Sequence, residues 1–226
     1  MPRQLRLPLT ASAPATRDGF LIGPSNARAV ALLDAWPRWP GGGLALIGPA
    51  GVGKTYLAAV WAAGAGALTV DLAAPDLDRA AAHPGPVLLE DADQGFPDEA
   101  LFHLINLAAR PERGLLVTAR TVPASWPSAL PDLRSRLNGM PVAEIAEPDD
   151  EVLRGVLEIF FRERSIRPSD DLYPYLLRRM SRSIPEAREI VRRLDEGVDQ
   201  ETRPVSRALA RQILEDQNQF LDHSEE

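Results

Sequence analysis

The sequence contains no cysteine, so a disulfide framework and a thiolate metal centre are both excluded. Histidine is nearly as scarce: His83, His103 and His223 lie far apart and make no zinc-ligand spacing. No apolar run approaches the ~20 residues of a membrane span. The N-terminus is polar and proline-bearing, without the apolar stretch of a secretory signal. The expectation is a soluble, cytoplasmic protein with no membrane partner. Positive charge is the minority sign: 25 Lys and Arg against 32 Asp and Glu leave a net charge of −7 and a pI near 5.1. That balance argues against a general nucleic-acid binder, and no direct sequence-specific DNA binding is expected. What remains is a chain of 226 residues, 45% hydrophobic, enough for one large domain or two small ones.

Against this background one stretch organises the rest. Gly48-Pro49-Ala50-Gly51-Val52-Gly53-Lys54-Thr55 fits the phosphate-binding pattern G-x-x-x-x-G-K-[ST] at every fixed position. An apolar segment, Gly43 to Ile47, precedes it as a buried strand, and Tyr56 to Ala63 follows as a run of helix formers. Glycines let the backbone turn tightly and aim successive N–H groups at phosphate oxygens, and the new helix adds the positive end of its dipole. In this pattern Lys54 reaches the β- and γ-phosphates, and the Thr55 hydroxyl ligates Mg²⁺. The ligand is a nucleoside di- or triphosphate, ADP or ATP.

Further along, an apolar strand at Val87–Leu89 runs into Glu90 and Asp91. One acid of such a pair holds Mg²⁺ and the next polarises the attacking water, which assigns Glu90 to the metal and Asp91 to catalysis. A strand over 114–120 ends in polar residues, and Thr118 and Arg120 are both candidates for a group that reaches the γ-phosphate. Other strands are expected at 67–72 and 141–145. Helices are expected at 27–36, with Ser25 or Asn26 as N-cap, and at 76–82, 98–110 and 130–137. Alternating strands and helices over 43–146 mean a mainly parallel five-stranded sheet covered on both faces, an α/β architecture. After Pro148 the pattern changes to helices alone, at 149–165, 169–181, 184–196 and 205–220. The expected organisation is a tail over 1–19, a nucleotide-binding core over 20–147 and a helical lid over 148–220. Within the tail, Gln4-Leu5-Arg6-Leu7-Pro8-Leu9 suits an extended peptide whose leucines enter a groove on a partner; a strand or a tail packed on its own domain is the alternative.

Phosphate loop, paired acids, polar-ended strand, Arg-bearing helix and helical lid together resemble an AAA+ ATPase. More narrowly, the Phe20–Ala27 lead-in, Leu130–Leu137 and the lid order are similar to the central domain of the replication initiator DnaA. They are closest to the DnaA-related regulators that carry a clamp-binding motif and lack the DNA-binding domain. The resemblance covers residues 4 to about 215. It implies that Gln4, Leu5, Leu7, Pro8 and Leu9 bind the DNA polymerase sliding clamp, and that DnaA is met across an AAA+ interface. It implies nucleotide contacts from Leu21, Ile22, Gly48, Pro49, Gly51, Val52, Gly53, Lys54, Thr55 and Tyr56, with Mg²⁺ at Thr55 and Glu90. Arg136 takes the place of the arginine finger that AAA+ neighbours insert into each other's sites; the alternative is an exposed helix arginine paired with Asp132. A homo-oligomer is compatible with the family. Two positions depart from the pattern: Glu90 replaces a more usual aspartate, and Pro185 stands where the second sensor arginine belongs, with Arg188 one turn on. The departure at Pro185 implies nucleotide binding without efficient hydrolysis of its own. A DNA-binding initiator, a helicase loader and a non-catalytic adaptor are the other functional classes to be separated; an initiator of the DnaA type would need a further helix-turn-helix domain.

Overall fold

A computed structural model describes residues 15–197, 205–208 and 210–212. Its centre is β1 (Gly43–Ile47), in which every residue is buried. It pairs in parallel with β4 (Leu115–Ala119) on one side and β5 (Val142–Glu144) on the other. Outward from β4 come β3 (Val87–Leu89) and β2 (Leu68–Val70), again parallel, in the order β2-β3-β4-β1-β5. The inner strands are apolar throughout because both faces are covered. Only the edge strands alternate: the outward residues of β5, Val142 and Glu144, are exposed around buried Ala143.

Successive residues of the central strands feed two different cores. Ala45, Ile47, Leu89, Leu115, Val117 and Ala119 face α3 (Leu77–Ala82), α4 (Asp98–Ala108) and α5 (Pro131–Asn138). Leu44, Leu46, Leu88 and Leu116 face α1 (Ala27–Asp34) and α2 (Lys54–Ala65) on the other side. A separate apolar cluster joins α6 (Asp150–Glu163), α7 (Leu172–Leu177) and α8 (Ile184–Gly197) into the helical lid. The architecture is therefore an AAA+-like parallel α/β core followed by a helical lid. Leu21 packs on the lid cluster, and Gly155 lets it do so: a Cβ there would lie 2.5 Å from Leu21 Cδ1.

Several expectations are revised. Asn26 stands at the N-cap of α1, yet its side chain bonds no N–H of the helix. Instead it accepts from Gly23 N–H at 3.0 Å and donates to Leu21 O at 2.9 Å, so it braces the lead-in loop. The helix expected at 169–181 is only Leu172–Leu177. Backbone groups just before it are taken by a parallel bridge between Pro168 and Val205, in which Ser169 N–H donates to Val205 O at 3.0 Å. Residues 207–208 and 210–212 are helical as expected, with Val205 in the bridge and 213–220 outside the described residues. The last residues of the expected tail form a 3₁₀ turn, Arg17–Gly19, pinned by an Arg17–Asp34 ion pair of 2.8 Å. Among the described residues no helix is long and apolar enough to cross a membrane.

Candidate nucleotide site

The carboxyl ends of β1, β4 and β3 lie side by side, the place where open parallel sheets hold ligands. From β1 the chain enters the loop Gly48–Gly53, and α2 begins at Lys54. Gly48, Gly51 and Gly53 have φ of +151°, +78° and +101°, which side-chain-bearing residues rarely adopt. Space is equally restrictive. A Cβ on Gly48 would lie 2.2 Å from Ile145 O, and one on Gly51 would lie 2.7 Å from Ser183 Oγ. Among the described residues, the backbone N–H groups of Val52, Gly53, Lys54 and Thr55 donate to no protein acceptor. A glycine cradle of free donors at a helix start fits a phosphate group.

Lys54 is 8% exposed and donates from Nζ to Gly48 O at 2.7 Å and Pro49 O at 2.8 Å. Burial pushes its ammonium below the ordinary lysine range; Asp91 and Asp93 oppose that shift, and Arg120 reinforces it. These four charges therefore share one neighbourhood. Glu90 moves the other way. Burial first and the Asp91 charge second raise its carboxyl above the usual range, while a hydrogen bond from Thr55 holds it back. Thr55 and Glu90, assigned to Mg²⁺ from sequence, are thus neighbours. Among the described residues no group of three or more His, Asp or Glu side chains could hold a metal alone. A cation here would complete its shell with waters or phosphate oxygens.

Thr118 and Arg120, equal in the sequence, differ in the structure. Thr118 is 1% exposed; its Oγ1 accepts the Asp91 N–H at 2.9 Å and its carbonyl accepts the Ala92 N–H at 2.9 Å. Asp91 has φ +50°, and these two bonds hold that turn. Arg120 is exposed, and its own N–H is anchored on Asp93 Oδ2 at 2.8 Å. Asp93 also accepts from Thr121 N–H at 3.3 Å. The pattern reading singled out the pair Glu90–Asp91; the third acid of the same run, Asp93, fixes the β4 end.

The lid reaches the loop directly, which the sequence pattern did not signal. Ile184 N–H donates to Gly51 O at 3.0 Å, Pro185 Cδ lies 3.0 Å from the Cβ position of Gly51, and Ile184 Cδ1 lies 3.5 Å from that of Gly53. Nearby lid arginines are engaged elsewhere. Arg182 binds Pro148 O at 3.0 Å and Asp150 Oδ1 at 2.8 Å, and Arg188 stacks 4.2 Å from the Phe160 ring centroid. Pro185, which the sequence resemblance puts where a second-sensor arginine is expected, is an apolar ring against the loop.

Other sequence-assigned residues take varied places. Val52 is buried in the α1/α2 core. Tyr56 stacks on Phe20 and bonds Thr16. Leu21 and Ile22 line a pocket of about 330 Å³ with Glu151, Val152, Arg154, Gly155 and Glu158 of α6. Ile22 is 55% exposed there. Arg136 is exposed on α5; among the described residues it makes no ion pair, with Asp132 or any other acid. Gln4, Leu5, Leu7, Pro8 and Leu9 lie outside the described residues.

No protein-family profile matches this sequence, and no curated protein matches it. Solved structures do. Domain III of the replication initiation protein DnaA from Thermotoga maritima matches with a TM-score of 0.70 at 16% identity, over 91% of this chain and 97% of that one. DnaA bound to AMPPCP and single-stranded DNA matches at 0.66 and 16%, over 92% and 70%. A mutant form of RuvB from Thermotoga maritima reaches 0.69 and 14%, over 91% and 73%. At these identities the likeness is one of fold, and DnaA and RuvB score almost alike. The chain has the fold of DnaA domain III and other AAA+-like proteins.

Proposed function

We propose that this chain is a nucleotide-binding regulator of replication initiation of the kind represented by Hda. In this reading it binds the sliding clamp through Gln4–Leu9 and promotes hydrolysis of ATP held by DnaA, preventing over-initiation. Its own ADP or ATP is held by the N–H groups of Gly51 to Thr55 and by Lys54, which turns from Gly48 O and Pro49 O toward phosphate. Thr55 and Glu90 hold Mg²⁺, whose charge relieves the raised Glu90 carboxyl. Asp91, held by Thr118, is the acid placed for water at this site.

The observation that carries the regulatory side is the lid–loop contact. An apolar Pro185, not a cation, touches Gly51, while Arg182 and Arg188 are tied to other groups. A loop that meets Pro185 and, among the described residues, neither Arg182 nor Arg188 is suited to holding nucleotide and poorly suited to turning it over. Arg136, exposed and without an acid partner among the described residues, is by contrast free to enter a neighbour's site. An arginine supplied in trans neutralises charge on the transferring phosphoryl group and is worth about 10³–10⁵ in rate. Capture of the tail by the clamp raises the local concentration of the regulator where replication is active.

The test is phosphate release from DnaA–ATP by this protein, with and without DNA-loaded clamp. Stimulation that needs the clamp and disappears when Leu5 and Leu7 become Ala is the expected result. No stimulation with clamp and DnaA both bound would make the chain an adaptor. Tight, salt-sensitive binding to duplex DNA would instead favour an initiator or helicase loader.

A further inference from the structure

The root of the N-terminal tail is built onto the phosphate-loop helix. Tyr56, directly after Thr55, carries the connection: its hydroxyl accepts the Thr16 N–H and donates to Thr16 O, both at 3.1 Å. Its ring stacks on Phe20, with centroids 6.1 Å apart and planes 27° off parallel. Phe20 is 9% exposed and reaches the loop itself, with Cε2 3.2 Å from the Cβ position of Gly53. Between them, Gly19 leaves room for the Tyr56 hydroxyl, which a Cβ would meet at 2.3 Å. The turn is closed by Gly19 N–H to Thr16 O at 3.1 Å, and Arg17 ties it to Asp34 of α1. One side chain at the first turn of α2 thus touches both ends of the segment 16–20.

We propose that Tyr56 couples phosphate-loop occupancy to the order of the tail root, so that nucleotide binding and capture of the tail by its partner are thermodynamically linked. The inference rests on the nucleotide-binding reading above. Its physical basis is direct. A ligand that fixes Gly53 and the start of α2 fixes the surfaces on which Phe20 and Tyr56 sit, and restricts Thr16 through two bonds. Linkage is reciprocal: a partner that orders the tail at Thr16 tightens nucleotide binding by the same factor. The coupling needs no displacement of the loop, since ordering alone carries it.

Hydrogen exchange of the peptide covering residues 16–20, with and without Mg²⁺–ADP, tests this independently of any protein partner. ADP binding is followed in parallel by calorimetry. The expected result is exchange slowed about fivefold or more by ADP, within the usual range of coupling. Gly19→Ala, whose methyl would meet the Tyr56 hydroxyl, is expected to retain ADP binding and lose the slowing. Tyr56→Phe removes only the hydroxyl that holds Thr16 and is expected to lose the slowing as well, with its ADP affinity read in the same titration. Slowing at the loop peptide with none at 16–20, or slowing that survives in both variants, would overturn the coupling while leaving nucleotide binding in place. No ADP binding to the wild-type chain would overturn the nucleotide reading and the coupling with it.

Discussion

Thr118 shows how one hydroxyl shapes the site. It is buried and spent on the Asp91 N–H, so its contribution is to the turn that presents the acid. Thr118→Val keeps the shape and leaves that N–H without its acceptor. The expected cost is about 1–3 kcal/mol in chemical denaturation, with Thr118→Ser close to wild type. Glu90 yields a prediction in pH. Its folded pKa lies above the ordinary value of 4.5, chiefly through burial. A raised carboxyl favours the fold fully below the unfolded pKa, and that contribution is lost as pH rises through the folded pKa. Stability measured against Glu90→Gln should therefore be level in acid and fall behind on the neutral side of 4.5. A gap that opens only below 4.5 would mean the carboxylate is stabilised by the fold.

At the scale of elements, the loop and the start of α8 form one joint. Gly51 has φ +78°, gives its carbonyl to Ile184 N–H, and has Ser183 and Pro185 over its Cα. Gly51→Ala is expected to lose at least the ~1–2 kcal/mol cost of a left-handed alanine and to weaken ADP binding, read by thermal shift and titration. Unchanged stability would show that the loop relaxes out of the left-handed conformation at Gly51 and that the lid gives way to the methyl. The loop itself was legible in the sequence because its chemistry demands glycines, lysine and a hydroxyl at fixed spacing, and β1, α2 and the parallel sheet followed from apolar runs punctuated by glycine and proline. The joint was not legible. It is made by a backbone N–H and a proline ring some 130 residues away in sequence, and no residue type marks such a contact. The same holds for Asn26: its type pointed to a cap, but tertiary partners in the lead-in loop outcompeted the helix N–H groups. Short α7 reflects a long-range bridge to Val205 that helical periodicity does not register.

For the molecule as a whole, core and lid meet at the glycine loop, while Arg136 stands exposed on α5 with no acid partner among the described residues. Arg136→Ala removes an exposed side chain outside the cores, so thermal stability should shift by no more than about 0.5 kcal/mol. That makes it a clean probe of action on a neighbour. The measurement is phosphate release from DnaA–ATP in the presence of loaded clamp, comparing wild type with Arg136→Ala, with ADP and clamp binding checked on both. Full loss of stimulation by the variant, with both binding activities intact, is the expected result. Stimulation retained by Arg136→Ala would contradict the assignment of a finger supplied in trans.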